Sequence, residues 1–386
     1  MLSKINFILL FGCMPLYAQA FNGVYLTGSG QVSSGMGGIS LAQGMDRTSI
    51  HDNPANLSYQ NNGVDAQISL LNIRSRATFL NQAEEFKSDK LISIPSLAII
   101  KHFDDRLSFG LSLTGAGAAV DYDKPAINGF PTDKAKDNLA IVKASPTVSY
   151  KVLPNLSIGA NLDIGVEQFR AKGVLAGMDT QGTPMFLDSH GNHWAYGIGG
   201  SLGVTWEFQP NWWLGASYIS EMRFSKLKEY KDDLLASSQG RINLPERYGF
   251  GINHKFNSQV TLAADLLRIN WQDADGLGEK GSFNWQNQNV YRIGLDYKFS
   301  PKDHIRFGFS HADVVVDSQD TLVNFYANAI ANNAWTIGYG RDFGFATLNL
   351  AYEYAVNKKI IGSDNSSGTN LSNQNHVFSL GFSKDF

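Results

Sequence analysis

After residue 62 the chain is a ladder of period-two segments, joined by alternately short and long connections and running to Phe386. Alternation of apolar and polar residues marks strands whose two faces meet different surroundings. It is clearest over 193–208, where Trp194, Tyr196, Ile198, Leu202, Val204 and Trp206 oppose Ala195, Gly197, Gly199, Ser201, Gly203 and Thr205. The same pattern predicts fourteen strands, over 64–80, 91–103, 106–118, 139–152, 155–171, 193–208, 211–226, 241–256, 258–272, 288–299, 303–314, 333–343, 345–357 and 375–386. Many exceed ten residues, whereas strands of soluble sandwiches cluster near about five or six. That length suits a tilted membrane-crossing strand. The reading is therefore an all-β chain, a 14-stranded antiparallel transmembrane β-barrel; a soluble β protein is the competing reading.

The connections give an orientation. Asp104-Asp105, Leu153-Pro154, Gln209-Pro210, Asn257, Ser300-Pro301-Lys302 and Phe343-Gly344 are tight, whereas 81–90, 119–138, 172–192, 227–240, 273–287, 315–332 and 358–374 are long. Short turns are expected in the periplasm and long loops outside, which puts both termini of an even-stranded barrel in the periplasm. Residues 1–20 read as a secretory leader, with Lys4, the apolar run Ile5–Gly12 and the A-x-A site Ala18-Gln19-Ala20. A lipobox-like Leu10-Phe11-Gly12-Cys13 is the alternative reading of that stretch. Cys13 is the sole cysteine, so a chain starting at Phe21 has no thiol for a disulfide or a metal. Loss of Lys4 leaves 31 Lys+Arg against 35 Asp+Glu, a net charge of −4 that argues against a nucleic-acid partner. A mean hydropathy of −0.19 fits a barrel, because only one face of each strand meets lipid.

Residues 21–62 do not alternate. They carry Gly28, Gly30, Gly35, Gly37, Gly38 and Gly44, followed by Asp52-Asn53-Pro54-Ala55-Asn56. Fourteen strands enclose a lumen wider than the side-chain-filled interior of about eight. The segment is long enough to fill it, which divides the chain into a leader (1–20), an N-terminal hatch or plug (21–62) and a barrel (63–386). Pro54 fixes its own φ and biases Asn53 toward an extended conformation; a structural role and a moving one both fit.

Here the sequence resembles the FadL-type long-chain fatty acid transporters of the Gram-negative outer membrane. The stretch Ser34-Gly35-Met36-Gly37-Gly38 and the motif Asn53-Pro54-Ala55 look like that family's hatch. Leu244-Pro245, Tyr248-Gly249-Phe250-Gly251, Leu262-Ala263-Ala264-Asp265 and Trp271 resemble one of its strand pairs, which Pro95 and Pro146 echo. The resemblance implies a monomer that takes up hydrophobic molecules passively, long-chain fatty acids first among them. It also implies a lateral exit into the outer-membrane lipids at a kinked third strand. Gly110, Gly115 and Gly117 are the candidate gate glycines on that strand, with an ordinary Gly-rich wall as the alternative. The family's carboxylate-binding basic residues have no assignable counterpart. Phe378, Phe382 and Phe386 form a C-terminal aromatic series like the signal read by barrel-assembly machinery, or else a plain aromatic belt.

Little else carries chemistry. His190 and His193 lie near a predicted loop tip without carboxylate or cysteine companions at metal spacing, and Asp273, Asp275 and Glu279 lack the full calcium-loop spacing. No nucleophile is paired with a base, so no enzyme, no metal and no cofactor are expected; an outer-membrane lipase is the enzymatic alternative. Asp163, Glu167, Glu207, Arg292, Asp296 and Lys298 are expected to face inward as a mutually paired, hydrated wall, or to set a gate. A porin-like channel for polar solutes and a surface adhesin or receptor are the competing functions.

Overall fold

The computed structural model describes residues 22–279 and 282–386. The predicted leader and its junction with Phe21 lie outside the described residues. Fourteen antiparallel strands form a closed ring. They are β1 (Gly63–Thr78), β2 (Phe86–His102), β3 (Leu107–Asp121), β4 (Lys136–Leu153), β5 (Leu156–Lys172), β6 (His193–Gln209) and β7 (Trp212–Ile219), then β8 (Arg247–Lys255), β9 (Val260–Ile269), β10 (Gln288–Lys298), β11 (Asp303–Ala312), β12 (Asn333–Asp342), β13 (Thr347–Ile360) and β14 (Asn370–Asp385). Each strand pairs with its sequence neighbours, and β1 pairs with β14 from Gly63↔Asp385 to Thr78↔Asn370, so the ring closes. Closure removes the unpaired sheet edges that lipid cannot satisfy.

The side chains follow the pleat. In β6 Trp194, Tyr196, Ile198 and Leu202 are exposed on the outer face, while Ala195, Ser201 and Thr205 are buried on the inner one. Apolar residues thus cover the outside and small or polar residues line the inside, as a membrane barrel requires.

Two predicted strands are shortened. Alternation over 211–226 and 241–256 predicts long seventh and eighth strands, but β7 ends at Ile219 and β8 begins at Arg247. Between them Met222 and Leu244 form an isolated bridge, and Arg223–Phe224 pairs instead with Ile198 and Gly197 of β6. Pro245 has no N–H, so the β7–β8 ladder cannot run through it. Other strands run longer than predicted at the long-loop end: β2 starts at Phe86 and β14 at Asn370.

The long loops fold over that end around an aromatic core. Phe325 lies 4.1 Å from Phe79, 4.5 Å from Tyr122 and 5.0 Å from Phe86, centroid to centroid. Tyr122 Oη donates to Phe325 O at 3.0 Å, and Tyr326 Oη donates to Gly173 O at 3.1 Å while accepting from Leu175 N at 2.9 Å. Burial pushes both phenols well above their ordinary pKa, so they remain neutral donors.

Candidate functional site

Residues 22–62 lie against the inner face of the wall and form three short 3₁₀ turns, Ser33–Gly35, Arg47–His51 and Pro54–Tyr59. The last begins at the Asn-Pro-Ala motif. Asn53 is extended (φ −138°), and its side-chain oxygen caps the turn by accepting from Ala55 N at 3.1 Å. Its amide donates to Leu41 O at 2.7 Å, Val204 O at 3.1 Å and Thr205 Oγ1 at 3.1 Å, which ties the turn to β6. Asn56 donates to Ser40 O at 2.7 Å and accepts from Thr205 Oγ1 at 2.9 Å; Ala55 O accepts from Ser157 Oγ of β5 at 2.9 Å. Both asparagines are fully buried. The wall approaches this closely because it carries glycine there: a Cβ on Gly203 would overlap Asn53 Oδ1, and one on Gly159 would overlap the Pro54–Ala55 peptide.

A second contact joins the Gly-rich stretch to β10–β12. A Cβ on Gly35 would lie 2.9 Å from Gly338 Cα, and one on Gly308 would overlap Gly37 N. Gly37 and Gly38 adopt φ of +68° and +87°, which glycine reaches without strain. Gly37 N donates to Thr336 Oγ1 at 2.8 Å, and Arg292 Nη1 donates to Gly38 O at 2.7 Å. On the third side Arg47 pairs with Asp65 of β1 at 2.6 Å and reaches Asp385 of β14.

The inward charges are largely engaged. Lys143 lies 3.2 Å from Asp163, Arg247 3.0 Å from Asp52, and Asp296 2.9 Å from His304 and 3.5 Å from Arg306. Asp265 accepts from Ser40 N at 2.8 Å and Leu41 N at 3.2 Å. Glu207 accepts from Asn211 N at 3.0 Å in its short turn. Glu167 departs from the expectation of a paired wall: it is fully buried, and neither carboxyl oxygen has a hydrogen-bond partner.

The wall parts between β2 and β3. β2 and β3 pair only from His102↔Ser108 to Leu97↔Leu113, although β3 stays paired with β4 up to Asp121 and β2 with β1 up to Phe86. Continuing the register would set Pro95, which has no N–H, opposite Gly115. The side-chain series show how the strands part. Phe109 and Leu111 put the odd positions of β3 on its outer face, where Gly115 also falls, while Ile92, Ile94 and Ser96 are buried on the inner face of β2. Yet a Cβ on Gly115 would lie 2.7 Å from Ile94 Cγ2. The inner face of one strand therefore meets the outer face of the next, because β3 steps inward past the edge of β2. Gly117, at φ +154°, donates its N–H to Val24 O of the N-terminal segment at 2.8 Å instead of to β2. The strands rejoin where Asp121 N donates to Ser88 Oγ at 3.0 Å and Asp123 N to Lys87 O at 3.2 Å.

Cavities lie on both sides of this gap. Inside, Tyr25, Thr27, Asp52, Lys143, Asp163 and Arg247 border a lumenal cavity of about 40 Å³, room for a few water molecules. Outside, an apolar recess of about 130 Å³ is bordered by Ile94, Pro95, Leu97, Leu113 and Val142. Thr114, Gly115, Ala116 and Ile141 line both.

A family profile described as "Outer membrane protein transport protein (OMPP1/FadL/TodX)" matches residues 16–324. The chain belongs to this family. Its members are outer-membrane barrels of Gram-negative bacteria that transport hydrophobic compounds. Among solved structures, the toluene transporter TodX of Pseudomonas putida matches with a TM-score of 0.73 at 21% identity, over 94% of this chain and 99% of that one. A FadL homologue from Pseudomonas aeruginosa matches with a TM-score of 0.71 at 16% identity, over 94% and 100%. The toluene transporter TbuX of Ralstonia pickettii matches with a TM-score of 0.65 at 19% identity, over 93% and 99%. A search of curated protein sequences gave no match.

Within this FadL/TodX-family barrel, the residues singled out in the sequence separate into groups. Asn53, Pro54 and Ala55 meet β5 and β6, and Gly35, Gly37 and Gly38 meet β10–β12. Gly115 and Gly117 border the gap. Gly110 does not: a Cβ there would meet Leu57 Cδ1 at 2.8 Å and Ile50 Cδ1 at 3.0 Å, so it makes room for the N-terminal segment. Phe378 and Phe382 are exposed on the outer face of β14, and Phe386 follows, its N–H donating to Asn62 O at 3.2 Å. His190 pairs with Asp233 of the β7–β8 connection, which lies 2.6 Å from its Nε2. Asp275 accepts from Asn243 Nδ2 of the β7–β8 connection at 3.1 Å, and Glu279 accepts from Gly276 N at 3.3 Å within its own loop. Ile94 and Val24 were missed. The only signal for Ile94 is an apolar residue at an inward position between Ser88 and Ser96, beside a proline.

Proposed function

We propose that the chain carries small hydrophobic molecules passively through the outer membrane, from the long-loop end into the lumen and out sideways between β2 and β3. The observation that carries this reading is the set of four residues shared by the lumenal cavity and the outer recess, at the place where β2 and β3 stop pairing. An apolar solute gains about 25 cal/mol per Å² of surface withdrawn from water, so an outlet into lipid suits it better than one into the periplasm. In this orientation the short turns and both termini are periplasmic. Residues 22–62 act as a hatch against polar solutes, the barrel works as a monomer, and Phe378, Phe382 and Phe386 serve assembly.

Long-chain fatty acids and monoaromatic hydrocarbons are the two substrate classes to compare. Lys143 and Arg247 are engaged with Asp163 and Asp52. That leaves them poorly placed to neutralise a ligand carboxylate and favours an uncharged solute. The test is uptake of labelled toluene and labelled oleate by cells with and without the chain, alongside leakage of a small polar dye from liposomes holding the purified protein. Faster toluene uptake without dye leakage is expected. Dye leakage with no faster toluene uptake would replace this reading with a porin.

A further inference from the structure

The inner wall beside the gap holds a carboxyl that nothing in the barrel uses. Glu167 of β5 is fully buried, with both oxygens unpartnered. Other buried carboxylates of the inner wall are treated differently: Asp163 has Lys143, Asp265 has the Ser40 and Leu41 amides, and Glu353 has Thr27 Oγ1 at 2.7 Å. Buried polar groups are nearly always hydrogen-bonded because leaving one unmatched is costly. An orphan carboxyl here asks for a partner that comes and goes.

Its place in the ring says which partner. Glu167 is directly opposite Ile141 of β4 and Ala195 of β6. Side chains so paired lie about 5 Å apart. Ile141 lines both the lumenal cavity and the outer recess, and Ala116, opposite it on β3, does the same. The carboxyl is therefore one strand from the outlet. Around it the surface is apolar: Phe169 follows on the same face, and Met222 Sδ and Phe224 Cζ lie 2.7 and 3.0 Å from where a Cβ on Gly165 would be. A molecule moving inward from the outlet past Ile141 would meet these apolar side chains and the Glu167 carboxyl.

We infer that Glu167 is a specificity-determining residue that accepts a hydrogen bond from the hydroxyl of an otherwise apolar ligand, such as a phenol or an alcohol. The inference rests on the transport reading above. A carboxyl can accept in either protonation state. When ionised it can only accept, so a ligand without a donor leaves it unmatched and a carboxylate ligand brings only further acceptors. Sites built around a buried polar group discriminate strongly against analogues that lack the matching group.

The test compares p-cresol with 4-methylanisole, the same ring with its donor methylated, by equilibrium dialysis against the purified wild-type barrel and by uptake into cells. Tighter binding of p-cresol by about tenfold is expected. Glu167→Gln, which keeps a carbonyl acceptor, should retain the preference. Glu167→Leu, an apolar replacement of similar size, should abolish it. Equal binding of p-cresol and 4-methylanisole by the wild type, or a preference that persists in Glu167→Leu, overturns the inference. The wild-type comparison decides even if Glu167→Leu does not fold. Failure of the transport reading shows separately, as toluene uptake no faster than in cells without the chain.

Discussion

The wall at β5–β6 and the wall at β2–β3 are written in the same alternating pattern, yet one is fastened from inside and the other parts. At β5–β6 the ladder is continuous, and Gly159 and Gly203 let the Asn53–Ala55 turn press onto the strands. At β2–β3 the ladder stops at Leu97↔Leu113, and the N-terminal segment takes over one bond of the missing partner through Val24. The difference lies in where glycine and proline fall. A glycine facing inward draws the segment to the wall; a glycine facing outward opposite a proline lets the wall step inward and open.

This contrast can be strained at its strongest point first. Replacing Arg47 by Met leaves the buried Asp65 carboxylate without its cation, which should cost about 3 to 5 kcal/mol, read as a lower urea midpoint of the folded barrel in lipid. A shift near zero would mean that the segment is not held at β1. Gly308→Val puts a side chain where Gly37 N sits. It should destabilise by about 3 kcal/mol and let a small polar dye leak from liposomes; a tight, wild-type barrel would show that this contact can yield. Asn53→Ala removes three donated bonds and a turn cap. A loss of about 1 to 3 kcal/mol with modest leakage is expected, and unchanged stability would place the fastening elsewhere. Tyr326→Phe, in the loop core at the long-loop end, should cost only about 1 kcal/mol and leave leakage alone. Leakage in that variant would show that the loops, and not the segment, close the lumen.

Much of the scaffold was legible because a strand's two environments are written into neighbouring residues. β5, β6 and β10 follow their alternation to within a few residues. The limits of β7 and β8 were misjudged because alternation survives through Ser225 while the hydrogen bonds do not: Pro245 lacks the donor, and the chain crosses to β6 instead. β2 was read as starting late because Lys87 and Asp89 occupy its outer face above the apolar band, which hides the strand from hydropathy. The Asn-Pro-Ala motif marked the right turn, but its receptors, Thr205, Gly203 and Ser157, lie on strands far along the chain and could be found only by folding. Glu167 was the clearest misreading. Its sequence surroundings match those of the paired Asp163, and only the register shows that it faces Ile141 and Ala195 instead of a base.

The lateral outlet is tested most directly at Gly115. A bulky side chain there grows from the outer face of β3 toward Ile94 and into the gap, without touching the segment's docking surfaces on β5–β6 or β10–β12. The measurement is toluene uptake by cells carrying Gly115→Phe, with folding matched to wild type by heat-dependent gel mobility. Uptake falling to the level of cells without the chain is the predicted result. Uptake equal to wild type would contradict a sideways exit and send the solute instead past the N-terminal segment at the short-turn end.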